Sequence, residues 1–184
     1  VALACAREGA NVVIAAKTDV VENPKLPGTI HDVAKEVEEI GTSALPIKLD
    51  VRDADACEAA VKRSIDHFGK VDALVNNAGA LFWADVADTP VKRFDLMMGI
   101  NVRASFVLAH AALTHMIERK YGHIVMMSPP VDADAVAGHG AYSVSKFGMT
   151  MIAQAIAEEC EAHNVTAHAL WPATAVESYA TMNF

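Results

Sequence analysis

Short apolar runs alternate with longer amphipathic stretches along this chain, and that alternation limits its fold more than any other feature. The apolar runs lie at 11–16, 44–49, 71–75, 123–127 and 165–170. They have the length and residue types of β-strands, while the stretches between them have helical periodicity. Strands separated by helices of this length form a parallel sheet covered on both faces. We therefore predict an α/β fold with a doubly wound, Rossmann-like parallel sheet.

Capping and turn residues mark where the predicted elements begin and end. Thr29 is placed to cap a helix ending near Ile40, and further helices are expected at 1–8, 55–68, 91–98, 101–119 and 141–163. The run 11–16 is apolar throughout, which predicts a strand buried on both faces. Pro46 predicts an edge position for the second strand, because proline cannot donate to a ladder. No repeat or linker interrupts the pattern, so we expect a single domain over 1–184.

Composition and charge exclude several classes of function. The formal net charge of −8 provides no chain-wide basic field for nucleic acid or anionic lipid. The apolar runs are shorter than the roughly 20 residues of a membrane span, so none is expected. Cys5, Cys57 and Cys160 are widely spaced, which predicts reduced thiols and a cytoplasmic location. The histidines and cysteines lack H-x-x-x-H, H-E-x-x-H and C-x-x-C spacings, so no metal site is predicted.

The strongest chemical signal is Tyr142-Ser-Val-Ser-Lys146, within the last predicted helix. Residues four apart share a helix face. A phenol with an ordinary pKa of about 10 is a poor base at neutral pH, but a neighbouring ammonium lowers that pKa. The pair could then move a proton to or from a carbonyl or alcohol oxygen while hydride moves at carbon. By itself, the spacing is equally consistent with an ordinary amphipathic helix.

Other motifs precede this pair in order along the chain. Asn76-Asn-Ala-Gly79 follows the third apolar run, Asn101 lies in a later helix, and Ser128 follows the fourth run. Together with Tyr-x-x-x-Lys, this order and spacing resembles the short-chain dehydrogenase/reductase family over essentially the whole chain. The resemblance implies a nicotinamide-dependent oxidoreductase that acts on a small-molecule carbonyl or alcohol substrate.

The resemblance also implies a role for each matching residue. Tyr142 would be the general acid/base, and Lys146 would lower its pKa and hold the nicotinamide ribose hydroxyls. Asn101 would hold a water in the proton relay through a local distortion of its helix, and Ser128 would polarise the substrate carbonyl. The cofactor would lie against a set of residues at the strand ends, namely Asp50, Val51, Asn77, Ala78, Gly79, Tyr142, Lys146 and Pro172.

Some of these positions also have purely structural interpretations. Asn76 and Gly79 are turn formers. Asp50 is suited to cap the helix that follows it, and Asn101 is suited to be a helix N-cap.

Cofactor preference can be inferred at the end of the first apolar run. Dinucleotide folds that prefer NAD place an acidic residue there to bind the ribose hydroxyls. This chain has Ala16-Lys17-Thr18, with no carboxylate and with a positive charge suited to a 2′-phosphate. NADP(H) is therefore favoured over NAD(H), the alternative being that Lys17 is a solvated loop lysine.

The chain departs from the family pattern at Ser128. This residue lies fourteen positions before Tyr142, whereas typical members place the serine one position closer, where Pro129 lies here. Either the loop contains an extra residue and Ser128 is the catalytic serine, or the catalytic role of the serine is weakened. The alternative function is therefore a dinucleotide-binding protein with weak or no catalysis. A second departure is Ala173 after Pro172, where members have glycine.

Several segments resemble one branch of the family, the hydroxysteroid dehydrogenase-like protein 2 type, whose name does not establish a steroid substrate. These segments are Ala15–Thr18, Pro24–Thr29, Thr89-Pro90, Asp95–Met98, Ser128–Pro130 and Leu170–Pro172. The family's first strand and Thr-Gly-x-x-x-Gly-x-Gly loop would precede Val1, and a substrate-covering helix and last strand would follow Phe184. We therefore expect the chain to be incomplete at both ends.

The resemblance also gives expectations about partners. Relatives associate through the helices that begin here near Asn101 and Ala141, so a homo-dimer or homo-tetramer is expected. Phe82, Trp83 and the loop 131–140 indicate an apolar pocket, which favours a hydrophobic substrate. A remaining possibility is a truncated product that folds only with a partner.

Overall fold

The fold is α/β with parallel sheets, as predicted. The computed structural model describes residues 1–21, 28–130, 132, 134 and 136–173. These residues form two compact units, Val1–Asp50 and the described residues from Val51 onward. Each unit has its own parallel sheet. The expectation of a single domain over 1–184 stays a prediction.

The first unit contains two helices and a two-stranded sheet. Its elements are α1 (Ala2–Arg7), β1 (Val12–Ala16), α2 (Ile30–Ile40) and β2 (Ala44–Lys48). Thr29 caps α2 as predicted: its hydroxyl accepts from the backbone N–H of Asp32, whose carboxylate accepts from that of Thr29. Strand β2 pairs only with β1 among the described residues, so Pro46 lies at a sheet edge, as predicted.

Strand β1 is less buried than its apolar sequence predicts. Val12, Val13 and Ile14 are half-buried, while Ala15 and Ala16 are exposed. The prediction of burial on both faces is therefore wrong for the described structure. The reason is that β1 has a paired strand on one side only, within a sheet of two described strands.

The second unit is built on a three-stranded parallel sheet in the order β3-β4-β5. Its regular elements are α3 (Ala54–Phe68), β3 (Ala73–Asn76), α4 (Val91–Met97), α5 (Ala104–Arg119), β4 (Gly122–Met127), α6 (Gly140–Glu159) and β5 (Val165–Leu170). Fully buried Ile124 and Met126 of the central strand β4 form one core cluster with Met116 of α5 and Met149 of α6. In this packing α6 lies against β4 and β5.

Helix α4, a π-helical segment at Met98–Arg103 and helix α5 form one continuous helix, Val91–Arg119. The sequence predicts two helices here, 91–98 and 101–119, so the predicted break between them is wrong. The structure accommodates Gly99 and Asn101 in a π turn instead of breaking the helix. By length and composition this helix could also cross a membrane, which analysis of the short runs missed. Ala109, Ala112 and Met116 nevertheless pack in the core cluster. A buried core helix can have the same length and apolar composition as a membrane-spanning helix.

Candidate functional site

Tyr142 and Lys146 lie one turn apart near the start of α6, as the motif predicts. The ammonium of Lys146 lies 5.8 Å from the centroid of the Tyr142 ring. Lys146 is only 7% exposed, whereas Tyr142 is half-buried. A buried lysine beside a partly accessible phenol is an uncommon arrangement, because burying an ammonium is costly unless something requires it.

The ammonium of Lys146 is held by the neighbouring strand. It donates to the carbonyl of Met127, at the end of β4, over 2.7 Å, and also lies 3.6 Å from the Met149 sulfur. Burial lowers the pKa of Lys146 from 10.5 to about 8. Burial also raises the pKa of Tyr142 above 10.0. The net lowering of the Tyr142 pKa that the sequence predicts is not present in this structure, because desolvation raises that pKa.

Asn101 lies in the π-helical segment and is fully buried. Its amide oxygen accepts from the backbone N–H of Ala80 over 2.7 Å. Its amide nitrogen donates to the carbonyl of Ala80 over 3.0 Å and to the hydroxyl of Ser145 over 2.8 Å. The helix distortion implied by the resemblance is present, and the alternative that Asn101 is a helix N-cap is wrong. π turns of this kind occur often at functional sites.

Ser145 is a site residue that the sequence analysis missed. It is fully buried within the Tyr-x-x-x-Lys motif. Its hydroxyl accepts from Asn101 and donates to the carbonyl of Tyr142 over 2.7 Å. Its place next to Lys146 in the motif was the available signal, since a buried hydroxyl in a helix must find a partner. Ser145 thus connects the π segment to the backbone of Tyr142.

The turn after β3 brings a small residue next to Lys146. Asn77, Ala78 and Gly79 are exposed, and Gly79 does not have a positive φ. A Cβ at Gly79 would lie 3.7 Å from the Lys146 ammonium and 3.5 Å from the Asn101 amide oxygen. The absent side chain therefore leaves space beside a buried donor, which fits a polyhydroxyl group such as a ribose. The turn geometry alone does not require glycine here.

Asn76 is the last residue of β3 and is 4% exposed. Its amide nitrogen lies 3.3 Å from the Met126 sulfur. Its amide oxygen is buried and makes no hydrogen bond within the part of the chain that is described. Asn76 is therefore a strand residue and not the turn former of the alternative interpretation.

The structure does not present the Ser128 hydroxyl to a substrate. Ser128 is fully buried, and its hydroxyl donates to the carbonyl of Lys146 over 2.7 Å. The hydroxyl also lies 2.9 Å from the Thr150 hydroxyl. The prediction that Ser128 polarises a substrate oxygen is contradicted by this geometry. The second interpretation, a weakened serine role, agrees with it.

The predicted apolar pocket is partly described. The Trp83 ring lies 6.5 Å from the ring of His139, the residue before α6, and the Arg93 guanidinium lies 5.3 Å from the Phe82 ring. Half-buried Pro172 follows β5. Residues 131, 133 and 135 of the loop 131–140, and residues 24–27 of the segment Pro24–Thr29, lie outside the described residues.

The predicted residues of the first unit lie at the ends of its strands. Lys17 is exposed after β1, and half-buried Asp50 comes shortly after β2. The sequence analysis did not single out nearby Asp19. Its carboxylate lies 2.7 Å from the His31 ring nitrogen Nε2 and 3.6 Å from the Lys48 ammonium. The hydrogen bond from His31 holds the pKa of Asp19 below its ordinary value.

The helix cap that the alternative interpretation assigned to Asp50 is supplied by Asp53. Its carboxylate accepts from the backbone N–H of Ala56 at the start of α3. The carbonyl of Val51 accepts a weak hydrogen bond from the Cys57 thiol. Over the described ranges, no group of three His, Cys, Asp or Glu side chains could hold a metal.

Known proteins match this chain over nearly all its length. The family model for short chain dehydrogenase matches residues 1–183. Hydroxysteroid dehydrogenase-like protein 2 of Xenopus tropicalis is 43% identical over 182 residues, which are 98% of this chain and 43% of that protein. The chain thus spans less than half the length of this curated relative.

Solved structures share the fold. One from Xanthomonas campestris has a TM-score of 0.91 and 43% identity, covering 98% of this chain and 67% of that one. A metagenomic short-chain oxidoreductase in complex with NADP has a TM-score of 0.83 and 28% identity, covering 94% and 75%. An NAD+-bound xylitol dehydrogenase has a TM-score of 0.83 and 27% identity, covering 93% and 63%.

These matches and the order of the motifs agree. The chain belongs to the short chain dehydrogenase family, in the branch of hydroxysteroid dehydrogenase-like protein 2.

Proposed function

We propose that the protein is an NADP(H)-dependent oxidoreductase that interconverts a carbonyl and an alcohol group, with Tyr142 as the general acid/base. The observation that carries this proposal is the pairing of half-buried Tyr142 with buried Lys146, next to the side-chain-free position at Gly79. Lys146 and the turn Asn77–Gly79 would hold the nicotinamide ribose. The bound dinucleotide supplies or accepts the hydride.

The residues of the second unit would handle the proton. Because burial raises the Tyr142 pKa, its hydroxyl stays protonated at neutral pH and is suited to donate to a carbonyl oxygen. The oxidative direction needs the phenolate, which an ammonium stabilises when it turns toward the ring. Lys146 is charged below its pKa of about 8. If Lys146 bound the ribose in place of the Met127 carbonyl, its charge would be available to stabilise the Tyr142 phenolate.

The preference for NADP(H) rests on Lys17. Its ammonium is exposed directly after β1, where it is suited to a 2′-phosphate. The Asp19 carboxylate lies two residues further on, but one of its oxygens is bonded to His31 and the other lies 3.6 Å from the Lys48 ammonium, which makes it less suited to bind ribose hydroxyls. Titration of the wild type and Lys17→Ala with NADPH and NADH tests this preference. Loss of NADPH affinity alone is expected, whereas equal or tighter binding of NADH by the wild type contradicts it.

A dinucleotide-binding protein with weak or no catalysis is the second candidate. It is favoured by the inward bonding of Ser128 and by Pro129, which has no N–H to donate. Removing the Tyr142 hydroxyl distinguishes the two candidates. With NADPH and a panel of aldehydes and ketones, Tyr142→Phe should lose about 10²- to 10⁴-fold in turnover, the usual contribution of a general acid. Unchanged turnover would contradict the enzymatic role.

We further propose a homo-dimer or homo-tetramer. Large apolar side chains on α5 and α6 are exposed in the single chain, namely Phe106, Val144, Phe147 and Met151. Burying them against a second copy would remove this apolar surface from water. Mass determination in solution tests this proposal, and a monomer would contradict it.

The proposed substrate is a hydrophobic carbonyl or alcohol compound, because Phe82 and Trp83 follow the cofactor turn. We keep the cytoplasm as the proposed location, which cell fractionation tests.

A further inference from the structure

We propose that Ser128 is a positioning residue, which fixes Lys146 from the end of β4, and that its hydroxyl does not contact the substrate oxygen. This inference rests on the proposed function, because it assigns a part in the same site. It differs from the role that the family resemblance gives to a serine here.

Two consecutive residues at the end of β4 hold Lys146 at both ends. Met127 accepts from the Lys146 ammonium over 2.7 Å. Ser128 donates to the Lys146 main-chain carbonyl over 2.7 Å. The side chain and the backbone of one lysine are thus bonded to two adjacent residues, the last residue of β4 and the residue that follows it. Such a double attachment limits both the rotation of α6 and the reach of the ammonium.

The next turn of α6 extends the attachment. The hydroxyl of Thr150, four residues after Lys146, lies 2.9 Å from the Ser128 hydroxyl. The Ser128 side chain has no exposed surface, and its hydroxyl is hydrogen-bonded within the protein, to Lys146 and Thr150. Turning it toward a substrate would break both of these hydrogen bonds, which is costly in a buried site.

The backbone of Ser128 is held from the other side by β5. Its N–H donates to the carbonyl of Leu170, the last residue of that strand. Pro129 follows and restricts the chain directly after Ser128. Ser128 therefore connects β5 to α6, and the sheet determines where Lys146 stands.

Ser128→Ala tests this inference, with Ser64→Ala as the matched control. Ser64 is also buried, and its hydroxyl donates to a main-chain carbonyl, that of Ala60, over 2.7 Å. It lies on α3 and has no part in the site. Thr150→Val is a third variant, which removes one partner of Ser128 but keeps the bond to Lys146. All variants are made in the full protein.

The first readout needs no ligand. The pKa of the Lys146 ammonium is followed by NMR of the protein labelled with ¹³C at the lysine ε-carbon, with Lys146→Arg to assign the signal. It should lie at about 8 in the wild type and in Ser64→Ala. It should move toward the ordinary 10.5 in Ser128→Ala, because a loosened lysine regains water, and move less in Thr150→Val. Equal values in the wild type and Ser128→Ala would overturn the inference.

The second readout is NADPH affinity without any substrate. Ser128→Ala should weaken NADPH binding about fivefold, the size of one lost hydrogen bond, and Ser64→Ala should not change it. Unchanged NADPH binding with a large loss of turnover would instead assign Ser128 to the substrate oxygen. Failure of the wild type to bind NADPH would refute the proposed function, while the Lys146 titration would still decide the role of Ser128.

Discussion

Replacing Asn101 by alanine should be among the most destabilising single changes in the second unit. The Asn101 side chain is fully buried and makes three hydrogen bonds, two to the backbone of Ala80 and one to Ser145. Each buried hydrogen bond contributes about 1 kcal/mol to the free energy of unfolding. Alanine recovers about 0.5 kcal/mol through its better helix propensity. The expected loss is therefore about 2–3 kcal/mol, or roughly 5–10 °C in Tm for a chain of this size.

Thermal and urea unfolding of the wild type and the variant measure this loss, with Asn11→Ala as the control. Asn11 makes one exposed hydrogen bond, accepting from the backbone N–H of Ser43 over 3.0 Å, so its removal should cost about 0.5 kcal/mol or less. If Asn101→Ala cost no more than Asn11→Ala, the Asn101 contacts would not be the support for the π segment that we describe.

Further predictions concern Lys146 and two glycines. As pH rises through the Lys146 pKa of about 8, the ammonium is lost, so NADPH affinity should fall above that pH; an equal fall in Lys146→Arg would contradict this cause. Gly79→Val should weaken NADPH binding about tenfold or more with little change in Tm, because its Cβ fits 3.7 Å from the Lys146 ammonium but fills the space beside it. Gly122→Ala should cost about 1–3 kcal/mol, since its Cβ would lie 2.5 Å from the Met116 side chain, and an unchanged Tm would refute this estimate.

Local signals in the sequence predicted most of the regular elements. The cap at Thr29 and the glycine at Gly41, which has a φ of 105°, gave the limits of α2 because both act through neighbouring backbone groups. The Tyr142–Lys146 pair was found for the same reason, since helical spacing alone places these residues together. The strand of the 165–170 run was predicted with its exact limits.

Features that depend on packing were not predictable from the same signals. The burial of β1 depends on how many strands flank it. An apolar run does not tell how many neighbouring strands the fold provides. The π turn at Asn101 forms because its amide has partners on Ala80 and on α6. Asn101 and Ala80 are far apart in sequence, so local propensity favours a helix break where the fold provides a continuous helix.

The direction of the Ser128 hydroxyl shows why a motif does not determine the role of each of its members. A serine after a strand that ends near a tyrosine and a lysine is in a suitable place for catalysis. Its neighbour Pro129 lies where typical members of the family have the serine, and Ser128 is one position earlier. Because side chains alternate between the two faces of extended backbone, a change of one position reverses the direction of a side chain. The hydroxyl of Ser128 accordingly points into α6, where it bonds to the backbone of Lys146, and it contributes to the site through the lysine.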